Sequence, residues 1–204
     1  MNRLKGTLAY LAGPMDEVPD LGRDWRLEIQ EFLWSLGVGV LNPCDKPTEL
    51  GKEVEDLQRL TLLLRADAED FEAQGKIEMA DACYEQIEEL MNPIVSVDFA
   101  MVDRAGFIIL YVDKDYHMCG SYSEETLAVL QKKPVIICCK QGKWCIPNFL
   151  FKRKGRHKTM FSNWKQVREY LFSVAHDEEV DDLGVWKFFD YEKVYGKNSE
   201  SIYS

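Results

Sequence analysis

Glu124 follows a strongly apolar segment at the opening of a predicted helix. The apolar segment, 106–112, predicts a buried strand, and the run 120–128 reads Gly-Ser-Tyr-Ser-Glu-Glu-Thr-Leu-Ala. Ligands of open parallel sheets collect beyond the carboxyl ends of such strands, so Glu124 is a candidate for chemistry at this edge. Acidic residues also favour the positive end of a helix dipole, and a capping role for Glu124 is therefore the alternative.

Tyr10 and Asp98 are the side chains expected beside Glu124. Tyr10 ends the first predicted strand, 7–12, which should neighbour the 106–112 strand, and Asp98 lies in the helix leading into that strand. A tyrosine hydroxyl can hold a nucleophilic carboxylate and tune its basicity. A second carboxyl can protonate a leaving group, and glycosidic bond cleavage requires this pairing. Asp98 contributes only if it faces the crevice, and a solvent-facing Asp98 is the alternative.

Motifs for other chemistries are missing from the sequence. The chain has no Gly-x-Gly-x-x-Gly or Gly-x-x-x-x-Gly-Lys pattern, so dinucleotide oxidoreduction and nucleoside triphosphate hydrolysis lose support as candidate activities. His117, His157 and His176 lack the context of a hydrolase triad. The six cysteines lack the pairing of a zinc site, so no metal is expected. Cleavage of a glycosidic bond by a pair of carboxyls requires no cofactor.

Alternating strand and helix patterns predict the fold class. A helix from about residue 21 ends at Gly37, strands follow at 38–41 and 135–139, and a helix begins after Asn92-Pro93. Strand, helix and strand in this order indicate one α/β domain over 1–204, with a flavodoxin/Rossmann-like parallel sheet and flanking helices.

Two segments exceed what such a sheet needs. Residues of about 50–91 are rich in Glu, Ala, Leu and Gln and predict a long helical insertion, as one helix or a pair. This insertion either packs against a second subunit or forms a solvated hairpin. An aromatic C-terminal tail occupies about 184–204.

Composition limits the partners. A net charge of −10 argues against nucleic acid polymers and anionic membranes and favours a small substrate. The basic run 152–158 is either an anion site or an exposed loop. No apolar run approaches the length of a membrane span, and no signal peptide is recognised. The sequence therefore predicts a cytoplasmic protein.

Three motifs in order resemble the nucleoside 2-deoxyribosyltransferase family, which includes the related deoxynucleoside monophosphate N-glycosidases. They are Tyr-Leu-Ala-Gly-Pro-Met at 10–15, Asp98 seven residues before Ala105, and Gly120-x-x-x-Glu124-x-x-x-Ala128 ahead of Lys-Pro-Val at 133–135. The resemblance covers about 8–150, interrupted by the helical insertion. Each motif is weak alone, and their order and strand positions give the resemblance its specificity.

The resemblance implies roles for the three residues. Glu124 would be the nucleophile of a covalent deoxyribosyl intermediate, Tyr10 would orient it, and Asp98 would move a proton to and from the base. The expected activity is transfer of deoxyribose from a 2′-deoxynucleoside to another nucleobase. One alternative is a 2′-deoxynucleoside 5′-monophosphate N-hydrolase that releases free base, and another is a non-catalytic nucleotide-sensing module.

The resemblance also implies substrate contacts and a homo-oligomer, dimer or hexamer, with a site shared between subunits. Asn148 resembles a residue offered to the neighbouring subunit, with a plain turn as its alternative. Met118 stands where the transferases tend to have aspartate and the glycosidases serine, so Asp113 and Asp115 are candidate substitutes. Ser121 and Ser123 would bind a 5′-phosphate or cap the helix. The candidate substrate-binding residues are Gly13, Asp45, Met118, Gly120, Ser121, Ser123 and Asn148.

Overall fold

A five-stranded, all-parallel sheet forms the centre of the protein, as shown by a computed structural model that describes residues 2–15, 18–46, 57–176 and Trp186. Its order is β2-β1-β3-β4-β5. The strands are β1 Leu8–Ala12, β2 Gly39–Leu41, β3 Phe107–Val112, β4 Val135–Cys139 and β5 Met160–Phe161. This arrangement confirms the predicted α/β class with a parallel sheet. The sequence did not predict β5, because two residues are too short for a recognisable pattern.

Helices cover both faces of the sheet. The α1 and α5 helices pack on one face with the side chains of Ala9 and Leu11, and α3 and α4 pack on the other with those of Tyr10 and Ala12. Side chains of a strand alternate between faces, so Tyr10 points into the layer that holds α3 and α4. The helices are α1 Arg23–Ser35, α2 Leu57–Ala73, α3 Ile77–Arg104, α4 Cys119–Leu130 and α5 Trp164–His176.

The strand order reverses between β1 and β3. The chain leaves β1 toward β2 on one side, whereas β3 continues to β4 on the other. The loops that follow β1 and β3 therefore diverge and leave a crevice at the carboxyl ends of these strands, where ligands of open α/β sheets bind. The α4 helix follows β3, so its beginning lies at this edge.

The helical insertion is a hairpin in its described part. Gly75, with φ of 71°, makes the turn between α2 and α3. The two helices enclose a small core of their own, formed by Leu64, Ala68, Ala80 and Cys83 with Phe71, Ile87 and Leu90 against it. The insertion is thus a helical pair, and its first residues lie outside the described part of the chain.

The α3 helix runs unbroken through Pro93, so the prediction of a new helix after Asn92-Pro93 is wrong. Proline lacks the N–H that would bond to the carbonyl four residues earlier, at Glu89. Glu89 is exposed, and water can satisfy that carbonyl. Packing on both sides of Pro93, from Leu90 against α2 and from Ile94 onward toward the sheet, holds the helix together.

Trp186 is the one described residue of the predicted tail. It is fully buried on the α1 and α5 face, its ring edge meets Phe107, and its indole Nε1 donates to the Tyr170 hydroxyl at 2.8 Å. The other tail residues lie outside the described part. Among the described helices, none has the length and apolar character needed to cross a membrane.

Candidate active site

Tyr10 and Glu124 form a buried hydrogen bond at the β1 and β3 crevice. The Tyr10 hydroxyl donates to Oε1 of Glu124 at 2.6 Å. Tyr10 is fully buried and lies at the middle of β1, rather than at its end as predicted, opposite Ile108 of β3. The length of the phenol ring brings its hydroxyl to the carboxylate. The structure therefore brings these two residues together as the sequence predicted.

Glu124 lies in the second turn of α4 and not at its start. The helix begins at Cys119 with Met118 as its N-cap, so Glu124 is the sixth helical residue. The unpaired N–H groups of a helix belong to its first turn. The capping alternative for Glu124 is therefore wrong, and its carboxylate bonds to Tyr10 instead.

Asp98 faces the interior and pairs with Lys46. The Lys46 Nζ lies 2.9 Å from Oδ1 of Asp98, and the two side chains are 0% and 12% exposed. The solvent-facing alternative for Asp98 is therefore wrong. Lys46 follows β2 and comes directly after the candidate Asp45, yet its residue type and spacing did not mark it as a site residue. Its position beyond β2, the neighbour of β1, was the available signal.

Burial sets the charge state of the two carboxyls. It raises the pKa of Glu124 to about 7, an effect opposed by the Tyr10 hydrogen bond and reinforced by the charge of Asp98. Burial also raises the pKa of Asp98, against the lowering effect of Lys46. Glu124 can therefore exchange a proton near neutral pH, and Asp98 holds its proton more readily than an ordinary aspartate, which suits a nucleophile and an acid partner.

Tyr10 remains a neutral donor to Glu124. Burial first, and then the neighbouring Glu124 charge, hold the pKa of the Tyr10 phenol well above its usual range. A neutral hydroxyl stabilises the ionised carboxylate without cancelling its charge. The pair can thus present an oriented carboxylate for nucleophilic attack.

Arg26 of α1 fixes the turn after β1. Its buried guanidinium donates to four carbonyls, those of Leu11, Gly13, Leu21 and Gly22, at 3.2, 2.8, 3.3 and 2.9 Å. Its charge also lowers the pKa of Glu124. This residue did not stand out in the sequence, because an arginine in an amphipathic helix is typical of a solvated surface.

Gly13, a predicted substrate contact, has a packing role. A Cβ at Gly13 would lie 2.5 Å from Cζ2 of Trp25. The Gly13 carbonyl accepts a hydrogen bond from the Arg26 guanidinium. The ring of Trp25 thus needs glycine at this position.

Met118 and Asp113 form a separate arrangement beyond β3. Met118 is buried, and its Sδ accepts the Asp113 N–H at 3.4 Å. The Asp113 carboxylate accepts from Lys140 at 2.8 Å and Gln141 at 2.7 Å. Burial alone would raise the pKa of Asp113, but these hydrogen bonds outweigh it and lower the pKa. Asp113 is therefore directed to the end of β4, and Asp115 is exposed.

Ser121, Ser123 and Gly120 all lie inside α4, so the capping alternative for the two serines is wrong. Ser121 is buried, whereas exposed Ser123 donates to the Cys119 carbonyl at 3.0 Å. Gly120 is exposed, and a Cβ there would meet nothing within 4 Å.

Asp45 and Asn148 are exposed. Asp45 precedes Lys46, and its N–H donates to the Asn42 carbonyl at 2.9 Å. Asn148 begins the short 3₁₀ helix Asn148–Phe151 after Pro147, which agrees with its turn alternative.

Glu125 forms the second buried charge cluster of α4. It is 0% exposed and pairs with the Arg156 guanidinium and, at 2.5 Å, with the Lys152 Nζ. Arg156 also donates to the Val135 carbonyl at 3.1 Å. Lys154, His157 and Lys158 are exposed, as the exposed-loop alternative for the basic run 152–158 predicted. Arg156 departs from it, because this residue is buried and, with Lys152, neutralises a buried carboxylate.

The described residues include no cluster of side chains suited to binding a metal ion. No group of three or more His, Cys, Asp or Glu residues among them could hold an ion, and all six cysteines are free thiols.

Comparison with known proteins leaves the site to be interpreted from its own chemistry. No protein-family model matches the chain, and no curated protein matches it. The Tyr10, Glu124 and Asp98 arrangement is therefore the basis for any inference about function.

Proposed function

We propose that this protein cleaves the N-glycosidic bond of 2′-deoxynucleosides and transfers the deoxyribose to another nucleobase. The observation that supports the proposal is the 2.6 Å hydrogen bond from Tyr10 to Glu124 at the β1 and β3 crevice. Buried Asp98 lies close enough for its charge to act on Glu124. A hydroxyl-oriented carboxylate with a carboxyl partner suits displacement at an anomeric carbon.

The first step forms a glycosyl-enzyme ester. The Glu124 carboxylate attacks C1′ of the sugar, the bond from C1′ to the base nitrogen breaks, and the departing base takes its proton from Asp98. Positive charge develops on the sugar in the transition state and lies beside the buried Glu124 carboxylate. Burial of that carboxylate strengthens the attraction, since little water screens it.

The second step releases the sugar to an acceptor base. A nitrogen of the incoming base attacks C1′, the ester bond to Glu124 breaks, and Asp98 accepts the proton from the base. Water in place of the base would make the protein a hydrolase, and a 5′-monophosphate would be the other substrate class. The sensing alternative needs no ester and would tolerate Glu124→Ala.

A homo-oligomer is part of the same proposal. Several large apolar side chains of α2 and α3 are exposed, among them Leu60, Leu63, Val95 and Phe99, and Phe149 and Phe151 are exposed beside Asn148. Contact with a second copy would cover such surface. Light scattering after size-exclusion chromatography measures the mass in solution, and a monomeric mass would contradict this part.

The activity is tested by incubating the protein with deoxynucleosides and deoxynucleoside monophosphates, each with and without a different free base. Chromatography distinguishes a new nucleoside, free base with sugar, and no change. We expect a new nucleoside only when the second base is present. Release of base from a monophosphate without transfer would favour the hydrolase hypothesis over the transferase hypothesis. Absence of product from deoxy and ribo substrates alike would contradict both hypotheses.

A further inference from the structure

Lys46 and Asp98 form a buried ion pair inside the candidate site. The Lys46 side chain has no exposed surface, and its Nζ lies 2.9 Å from the carboxylate. Burial of a charged lysine is costly unless an anion compensates it. Lys46 therefore stabilises the ionised form of Asp98 more than the neutral form.

Negative charge moves between the two carboxyls during the proposed reaction. Before the first step Glu124 is ionised and Asp98 holds a proton. After it Glu124 is a neutral ester and Asp98 is ionised, because its proton has left with the base. One carboxylate thus balances Lys46 in both states, and in the intermediate that carboxylate is the one in contact with Lys46.

We propose that Lys46 is a positioning residue that stabilises the glycosyl-enzyme intermediate by supplying the counter-charge of Asp98. The inference rests on the proposed function, since it assigns a role within that reaction. Lys46 acts through Asp98, and its buried ammonium need not touch the substrate. The proton of the leaving base comes from Asp98 alone.

Tyr10 and Arg26 stabilise the ionised form of Glu124 that the first step requires. Before substrate binds, Lys46 favours an ionised Asp98 through direct contact and so opposes the proton that the first step needs there. Its charge also acts on Glu124, where it favours the ionised form as well. The Tyr10 hydroxyl and the Arg26 charge favour an ionised Glu124. Tyr10 and Arg26 thus stabilise the carboxylate of Glu124, and Lys46 stabilises that of Asp98. In the proposed first step the negative charge moves from Glu124 to Asp98.

The sharpest test compares two leaving groups. A nucleobase needs the Asp98 proton to depart, whereas the nitrophenolate of 4-nitrophenyl 2-deoxyribofuranoside leaves as a stable anion. Lys46→Met should reduce kcat for a deoxynucleoside by about a hundredfold, the scale of general acid catalysis, and reduce the nitrophenolate burst far less. Less deoxyribosyl-enzyme should also accumulate from the nucleoside, as measured by intact-protein mass spectrometry.

Three further variants separate a charge effect from a structural one. Lys46→Arg keeps the positive charge and should recover most of the nucleoside activity. Lys154→Met removes an exposed lysine of the basic run and should match the wild type. Adding Lys46→Met to Asp98→Asn should cost nothing beyond Asp98→Asn, because the residue that Lys46 serves is then neutral. This double variant buries no unpaired carboxylate and answers the question even where Lys46→Met alone fails to fold.

The outcomes separate the inference from the proposed function. Equal slowing of both substrates by folded Lys46→Met, or additive losses in the double variant, would overturn the role of Lys46 and leave the reaction standing. Wild-type protein that releases neither base nor nitrophenolate would overturn the proposed reaction itself. A deficit confined to the nucleoside, recovered by arginine, is the result expected.

Discussion

Glu124 and Glu125 are consecutive residues of α4, and both are buried, yet their surroundings differ in charge. Glu125 contacts two cations, Arg156 and Lys152. Glu124 contacts a neutral hydroxyl, and the charge of Asp98 adds to the effect of burial in raising its pKa. Consecutive helical positions point about 100° apart, so one helix can present two carboxylates to two environments.

Under the proposed function, this difference assigns Glu125 to stability and Glu124 to chemistry. A carboxylate neutralised by two cations is a poor nucleophile and a poor proton acceptor, and its ion pairs tie α4 to the segment between β4 and β5. A carboxylate buried with only a hydroxyl partner costs folding energy and remains reactive. Residues whose burial is not compensated by charge are candidates for function.

Replacing Glu124 with glutamine should have the largest effect. Glutamine keeps the shape and can accept the Tyr10 hydrogen bond, but it cannot form the ester, so kcat should fall by about four orders of magnitude. Single-turnover assays with a deoxynucleoside measure the loss. Activity within tenfold of the wild type would remove Glu124 from the reaction.

The same variant should be more stable at alkaline pH. The folded protein raises the pKa of Glu124 to about 7, so the unfolded chain loses this proton first as the pH rises. The wild type therefore loses stability between about pH 4.5 and 7, and Glu124→Gln should gain about 3 kcal/mol at pH 8. Urea unfolding at pH 5 and pH 8 checks the sign, and a gain that is equal at both pH values would contradict it.

Replacing Glu125 with glutamine should do the opposite. It leaves the buried Arg156 guanidinium without its counter-charge, which should lower the free energy of unfolding by about 3 kcal/mol. Urea unfolding at pH 7 measures the loss. Glu169→Gln is the control, because its exposed pair with Lys165 at 3.9 Å should be worth less than about 0.5 kcal/mol. If the two glutamine variants lose equal stability, the Glu125 cluster is not an anchor.

Tyr10→Phe sharpens the comparison within the site. The hydroxyl bond favours the ionised Glu124 and lowers its pKa, so its removal should raise that pKa. The acid limb of the kcat/KM profile should then move to higher pH by about one unit. Rates between pH 5 and 9 measure the shift. An unmoved limb would mean that Tyr10 does not contact the carboxylate in the working enzyme.

Much of the sheet could be predicted from the sequence because buried parallel strands are continuous apolar runs. β4 has the predicted bounds at 135–139, and β3 spans 107–112, one residue shorter than the predicted 106–112. The continuity of α3 through Pro93 could not be predicted in this way. Local preference favours a break at proline, and only the packing of neighbouring turns against α2 and the sheet overrides it.

The site residues also fall into those that the sequence could predict and those that depend on tertiary packing. Tyr10, Asp98 and Glu124 could be named from residue type and position, since a parallel sheet brings the ends of β1 and β3 together. Lys46 and Arg26 could not, because their places depend on how loops and a helix surface fold back onto the sheet. The same holds for Arg156, whose sequence neighbours are mostly exposed.

The two cations that pair with Glu125 should contribute unequally to stability. Lys152→Met should have the smallest effect on the free energy of unfolding. The Lys152 side chain is 21% exposed and that of Arg156 is 3% exposed, so water can replace the lysine but not the arginine. Lys152→Met should cost about 1 kcal/mol or less, and Arg156→Met several times more, because Glu125 is then buried with a single partly exposed partner. Urea unfolding of both variants measures the ratio, with Lys152→Arg as the charge-retaining control. Equal losses would show that Glu125 needs two charges rather than one, and that α4 is held by the whole cluster instead of by the Arg156 bridge to Val135.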